Sequence, residues 1–236
     1  MRDYRNIDRY LNELSSDIYS QPPDEGHTEM IRDVFEKWIY GMDCKNVLDI
    51  GCGATAVAEQ FFKLTGMYYT GISLGEDAVS AQILDKNVYD MDMSFLDFED
   101  ESFDLVWCRH TLEHSPMPLL TLMEFHRVSR EWLCLIMPNP HYYTYSGRNH
   151  YYVAEPHQVA WLLRRSGWQP VKVELNQTEF RFLCVKRPRV GYEGYVEAPL
   201  PNKVYEFERD ALEIGNSLDV TEFMKSLEVQ TEVEEA

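Results

Sequence analysis

The chain has 236 residues, 44% of them hydrophobic, and its 40 acidic residues against 22 lysines and arginines give a formal net charge of -18. Such a length and apolar share suffice for one good-sized domain core with appendages, whereas the acidity argues against binding nucleic acid or an anionic membrane, both of which need a basic face. Five cysteines, at 44, 52, 108, 134 and 184, form no C-x-x-C pair and fit a reducing, cytoplasmic setting.

The N-terminus carries Arg2, Asp3 and Arg5 and lacks an apolar signal region, and the longest apolar run, Trp132 to Met137, is about a third of the ~20 residues that span a bilayer. From Asp3 to Tyr19 the residues Ile7, Tyr10, Leu11, Leu14 and Ile18 recur at helical spacing and predict an amphipathic helix. Two prolines and a glycine between Gln21 and His27 interrupt it. Thr28 is then placed to cap a second helix with the face Ile31, Val34, Phe35 and Trp38, ended by Gly41. Residues 1–45 read as a helical lead-in packed on the domain that follows.

The stretch Asn46 to Ala58, NVLDIGCGATAVA, predicts a strand, a tight glycine turn and the start of a helix. Glycines at 51 and 53 let bare backbone approach a ligand, and helix-start N–H groups offer it donors. Gly51 to Ala56 fits the dinucleotide fingerprint with Ala56 in the third position. Asp49, at the strand end, favours a ligand ammonium and would repel a pyrophosphate.

Further along, helices are predicted over 54–64, 76–84 and 119–128, and strands over 67–74, 88–91, 102–108 and 131–137. This alternation predicts a parallel, doubly wound α/β sheet. Asn139 to Ala154 is a long stretch rich in His, Tyr and Gly, a candidate lid in which His141, Tyr142, Tyr143 and His150 form a substrate region. A helix over 155–166 closed by Gly167 leads to two strands, 168–175 and 179–186, joined by Asn176-Gln177-Thr178 as an antiparallel hairpin. Beyond Pro188 the composition changes, with 12 acidic and 3 basic residues from Val190 to Ala236. The expected organisation is therefore a domain over 46–188 and an acidic extension over 189–236, partly helical through Val204, Phe207, Ala211 and Ile214 and disordered at its end.

Taken together, Asn46 to Ala58 and above all Phe98 to Pro118, FEDESFDLVWCRHTLEHSPMP, resemble the class I S-adenosylmethionine (SAM) dependent methyltransferases, in particular Methyltransferase type 11. The resemblance covers about Asn46 to Arg187. It implies a mostly parallel seven-stranded sheet in the order 3-2-1-4-5-7-6 with helices on both faces, and SAM as cofactor. It places Asp49, Gly51, Cys52 and Gly53 at the methionine part of SAM, Asp92 and Met93 at the adenine, and His110 near the methyl group. Two departures stand out. Ala54-Thr55 replaces the usual Thr-Gly, and Ser73, followed by Leu74, stands where the family has an acid for both ribose hydroxyls, so Glu76 or Asp77 is a candidate substitute.

Methyl transfer from a sulfonium needs alignment, exclusion of water and, for a protonated acceptor, a base. His110 and His114 are the base candidates, at the carboxyl end of a strand. The same residues spell His110-x-x-Glu113-His114, an inverted zinc-protease motif, but that chemistry needs a helix and Ser115-Pro116 interrupts one, so no metal is expected. The expected function is methyl transfer from SAM to a small-molecule acceptor. Two other readings compete: a non-catalytic binding or scaffold module that has lost cofactor affinity at Ser73, and an NADP-dependent oxidoreductase, which the absence of Arg or Lys after Ser73 disfavours.

Overall fold

Strands that are apolar on both faces have to be covered on both, and this requirement organises the computed structural model, which describes residues 25–143 and 150–188. The predicted helix over 3–19, most of the middle of the lid stretch and the acidic extension lie outside the described residues. The strands are β1 (Asn46–Ile50), β2 (Tyr68–Ser73), β3 (Val88–Asp90), β4 (Phe103–Arg109), β5 (Ser129–Pro138), β6 (Trp168–Leu175) and β7 (Glu179–Lys186). They form one seven-stranded sheet in the order β3-β2-β1-β4-β5-β7-β6, as expected. The first five are parallel, and β7 runs antiparallel to both β5 and β6.

The helices are α1 (Glu25–Val34), continued by a π-helical turn (Phe35–Ile39), α2 (Glu59–Thr65), α3 (Gly75–Ile83), α4 (Pro118–Val128), α5 (Pro140–Tyr143) and α6 (Pro156–Arg165), with a 3-10 turn at Leu112–His114. On one face of the sheet Leu122 and Phe125 of α4 and Val159 and Leu163 of α6 pack against Leu48, Val106, Leu133 and Phe182. On the other, α1 and α2 meet Val47, Leu105, Trp107 and Ile136. Phe35 is the hub there, with its ring centroid 4.6 Å from Phe62 and 5.4 Å from Trp107. Two helix starts follow their sequence signals. Pro118 and Pro156 occupy first-turn positions, where no N–H is needed, and Gln158 accepts from the Glu155 N–H at 2.9 Å in a capping box.

Two local expectations change. Thr28 lies inside α1, which already runs at Glu25, and so does not cap it. The helix expected over 54–64 begins only at Glu59, because Gly51, Gly53 and Ala56 all have positive φ, of 69°, 68° and 46°. A residue in the left-handed region cannot belong to a right-handed helix, so the segment from Gly51 to Ala58 is a chain of turns and α2 starts after it. Among the described residues no helix is long and apolar enough to cross a membrane.

Candidate functional site

The sheet reverses its direction of progression between β1 and β4: β2 and β3 lie to one side, β5 and the hairpin to the other. Connections there diverge to opposite faces and leave a crevice at the carboxyl ends of the strands. A cavity of about 250 Å³ occupies that position, lined from β1, β2, β4 and the turns that follow them.

Asp49 forms its floor. It is buried, and Tyr69 donates its hydroxyl to Oδ2 at 2.6 Å. Burial pushes the Asp49 carboxyl up to about 7, only partly offset by that hydrogen bond. The N–H groups of Gly51 and Cys52 both donate to the Ile72 carbonyl, at 2.9 and 3.0 Å, so ligand-facing amides begin at Gly53. A Cβ on Gly51 would come within 2.3 Å of Thr111 Oγ1, a side chain itself held by the Ile50 carbonyl at 3.1 Å. Gly51 is therefore demanded by packing between two strand ends. A Cβ on Gly53 would meet nothing within 4 Å, and this residue opens on the cavity. Cys52 lines the cavity, and burial together with the Asp49 charge raises its thiol, so it fills space as a neutral group.

Ser73 and Leu74, at the end of β2, make the second wall, with Asp77 from the first turn of α3. Glu76 is not part of the lining, so of the two acids near Ser73 it is Asp77 that reaches the cavity. Met91 and Met93 follow β3 and line the cavity. Asp92 between them does not, since its Oδ1 accepts the Ser94 N–H at 2.7 Å in a local turn. Of the two residues expected at the adenine, Met93 lines the cavity and Asp92 stands behind that lining.

The third wall is the end of β4, where Arg109, His110, Thr111 and His114 line the cavity. Pairing in register sets Arg109 beside Ile136 and Ile136 beside Arg181, which brings the start of β7 to the same end of the sheet. Glu179 is fully buried there. Its Oε2 accepts from Arg109 Nη2 and meets His110 Nε2, each at 3.0 Å, and its Oε1 accepts from Arg181 Nε at 2.7 Å. Burial alone would raise the Glu179 carboxyl, but the His110 hydrogen bond and the two guanidinium charges prevail and hold it near 2. Burial also pushes His110 down to about 4, against the pull of Glu179. A neutral ring then donates Nε2–H to the carboxylate, which leaves the acceptor lone pair on Nδ1. His27 of α1 meets the same ring edge-on, with centroids 6.1 Å apart.

Of the expected lid residues, His150 stands edge-on to His114, with centroids 4.8 Å apart. The Tyr151 and Tyr152 N–H groups donate to the Glu113 carbonyl at 2.8 and 2.9 Å and fix that approach. His141 is exposed, lies 3.2 Å from Glu155 Oε1 and is not part of the lining. The side chains of Tyr142 and Tyr143 lie outside the described residues. Sequence reasoning missed Glu179, Arg109, Arg181 and His27. Arg109 could have been found as the neighbour of His110 at the strand end, whereas Glu179 has no local signal.

Residues 48–132 match the profile of a family described as Methyltransferase domain. A curated relative, a Ubiquinone biosynthesis O-methyltransferase of Neisseria meningitidis serogroup C, is 32% identical over 83 residues, a match covering 31% of this chain and 35% of that protein. The chain thus spans about a third of the length of the curated relatives it matches. Among solved structures, the [4+2]-cyclase SpnF superposes with a TM-score of 0.59 at 15% identity over 80% of this chain and 94% of its own. A SAM dependent methyltransferase from Archaeoglobus fulgidus superposes with a TM-score of 0.55 at 18% identity over 67% and 94%.

Proposed function

We propose, from the match of residues 48–132 to the Methyltransferase domain family, that the protein is a class I SAM-dependent methyltransferase that transfers a methyl group from SAM to a small-molecule acceptor. The observation that carries this reading is the buried Asp49 beneath the Gly51-Cys52-Gly53 turn at the switch point of the sheet. A carboxylate held out of water seeks a cation. The ammonium of the methionine part of SAM is such a cation, and a dinucleotide pyrophosphate is not. The guanidinium in the lining, Arg109, is engaged by Glu179 at the β4 wall and not at Ser73, where a ribose phosphate would need it.

In this reading Asp49 and the amides from Gly53 onward would hold the methionine end, Ser73 and Asp77 would take the ribose hydroxyls beside Leu74, and Met91 and Met93 would offer apolar contact to the adenine. Bound there, SAM supplies an electrophilic methyl group. The chain's own residues orient the reactants and keep water out. His110 is locked to Glu179 and, depressed to about 4, is a weak base, so it acts by position. His114 is the group on the acceptor side. The fold alone does not select the reaction, since it also carries a cyclase.

The domain organisation we infer is a catalytic unit over 46–188 on which the lead-in packs, with an acidic extension beyond it. The acidity and the cysteine pattern support a cytoplasmic protein that binds no nucleic acid.

Calorimetric titration of the purified chain with SAM tests the proposal. Binding should occur at one site, and Asp77→Asn should weaken it by about tenfold or more, the worth of a charge-assisted hydrogen bond. Glu76→Gln should leave it within about twofold. No binding of SAM by the folded wild-type chain, or loss on Glu76→Gln alone, overturns this assignment.

A further inference from the structure

One buried group takes no part in the reading above. Glu113 is 2% exposed, and its Oε2 has no hydrogen-bond partner among the described residues. A carboxylate in that position is costly unless something supplies the missing partner. Two imidazoles stand beside it. One ligand atom each from Glu113, His114 and His150 lies within 4.8 Å of the other two.

We infer that Glu113, His114 and His150 form a binding site for a divalent transition-metal ion at the acceptor wall of the cavity. Two imidazoles and one carboxylate are a donor set for Zn²⁺, Fe²⁺, Mn²⁺ or Co²⁺, and three protein ligands leave at least one coordination position open. Bonds of about 2.1 Å to a tetrahedral ion set its ligands about 3.4 Å apart, so the three groups need to close by about 1 Å, within reach of small side-chain rotations. The backbone already holds the parts in place. Glu113 and His114 share the rigid 3-10 turn, and the paired hydrogen bonds from Tyr151 and Tyr152 to the Glu113 carbonyl anchor the chain beside His150. Arg109, whose charge acts on Glu113, is itself engaged with Glu179.

The set differs from the one legible in the sequence motif, because His110 is committed to Glu179 and His150 takes its place. Its role rests on the methyltransferase reading. His114 lines the cavity, so the open position would hold a hydroxyl oxygen of the acceptor. The metal–oxygen bond forms, the O–H bond breaks and the proton passes to water, which leaves the oxygen as a nucleophile without a protein base. His114 then serves as a ligand and not as the proton acceptor.

The test uses the metal alone, in the absence of SAM. The full chain, stripped by chelator, is titrated with Zn²⁺ and with Co²⁺ by calorimetry, and the visible absorption of the Co²⁺ form is recorded. One site per chain is expected, with absorption typical of imidazole ligation, and Glu113→Gln and His150→Ala should each weaken it at least about tenfold. Thermal melting of the same variants, followed by circular dichroism, checks that they fold. Absence of a site, or binding that both variants retain, as weak capture by the acidic surface would be, overturns the inference whether or not SAM binds.

Discussion

At the residue scale, burial of Asp49 bears on stability and on the proposed binding of SAM. With its carboxyl raised to about 7 from an ordinary value of 3.8, the folded chain keeps this proton through a range in which the unfolded chain has lost it. The stability of the ligand-free protein should therefore fall as pH rises from about 4 to 7 and level beyond, as far as this group is concerned. SAM affinity should move the opposite way, because its ammonium needs the ionised form. The expected rise is close to tenfold per pH unit below the Asp49 value, with a plateau above it. The groups facing Asp49, Tyr69 and Cys52, are both neutral in this range, since burial and the Asp49 charge raise them. Asp49→Asn should remove the pH dependence and cost ~1.5 to 3 kcal/mol of binding on the plateau. Calorimetry between about pH 5.5 and 7.5 reads both. An unchanged slope in the variant would place the titrating group elsewhere.

At the element scale, the lead-in helix is part of the core and supplies a wall of the site. Phe35 is 1% exposed and wedged between Phe62 and Trp107, while His27, two turns earlier, faces His110. Phe35→Ala should cost ~3 to 5 kcal/mol, as truncation of a buried aromatic does, read by urea unfolding. Because α1 also carries His27 and Ile31 in the lining, the variant should lose SAM affinity in parts of the population where α1 has detached. A cost below ~1 kcal/mol would mean that α1 merely rests on the sheet.

At the scale of the whole molecule, charge is unevenly distributed along the chain. The 12 acidic and 3 basic residues from Val190 to Ala236 hold half of the net -18, whereas the described sheet, its helices and its cavity are complete by Pro188. A chain ending at Pro188 should therefore bind SAM within about twofold of the full chain and melt within a few degrees of it. Loss of binding or of cooperative melting on truncation would make the extension a structural part of the domain and remove the proposed boundary at 188.

Much of the architecture is already determined by residues read in order. Short apolar runs separated by turn residues mark the central strands β1, β4 and β5, because a strand buried on both faces can contain little else, and the Asn176-Gln177-Thr178 turn marks the hairpin. The Asp49-to-Gly53 turn is legible for the same reason: strand, glycine and helix signals sit within a few residues of one another. Tertiary structure alone decided which side chains meet. Glu179 reaches His110 across 69 positions of sequence, through the register of three strands. His150 reaches Glu113 and His114 through two backbone hydrogen bonds. Asp77 lines the cavity where Glu76 does not, and the start of α2 was delayed by the left-handed Ala56. Periodicity along a chain carries information about which face an element buries. It carries none about which groups from distant elements converge at the end of a sheet, since that depends on register, twist and the direction of each connection.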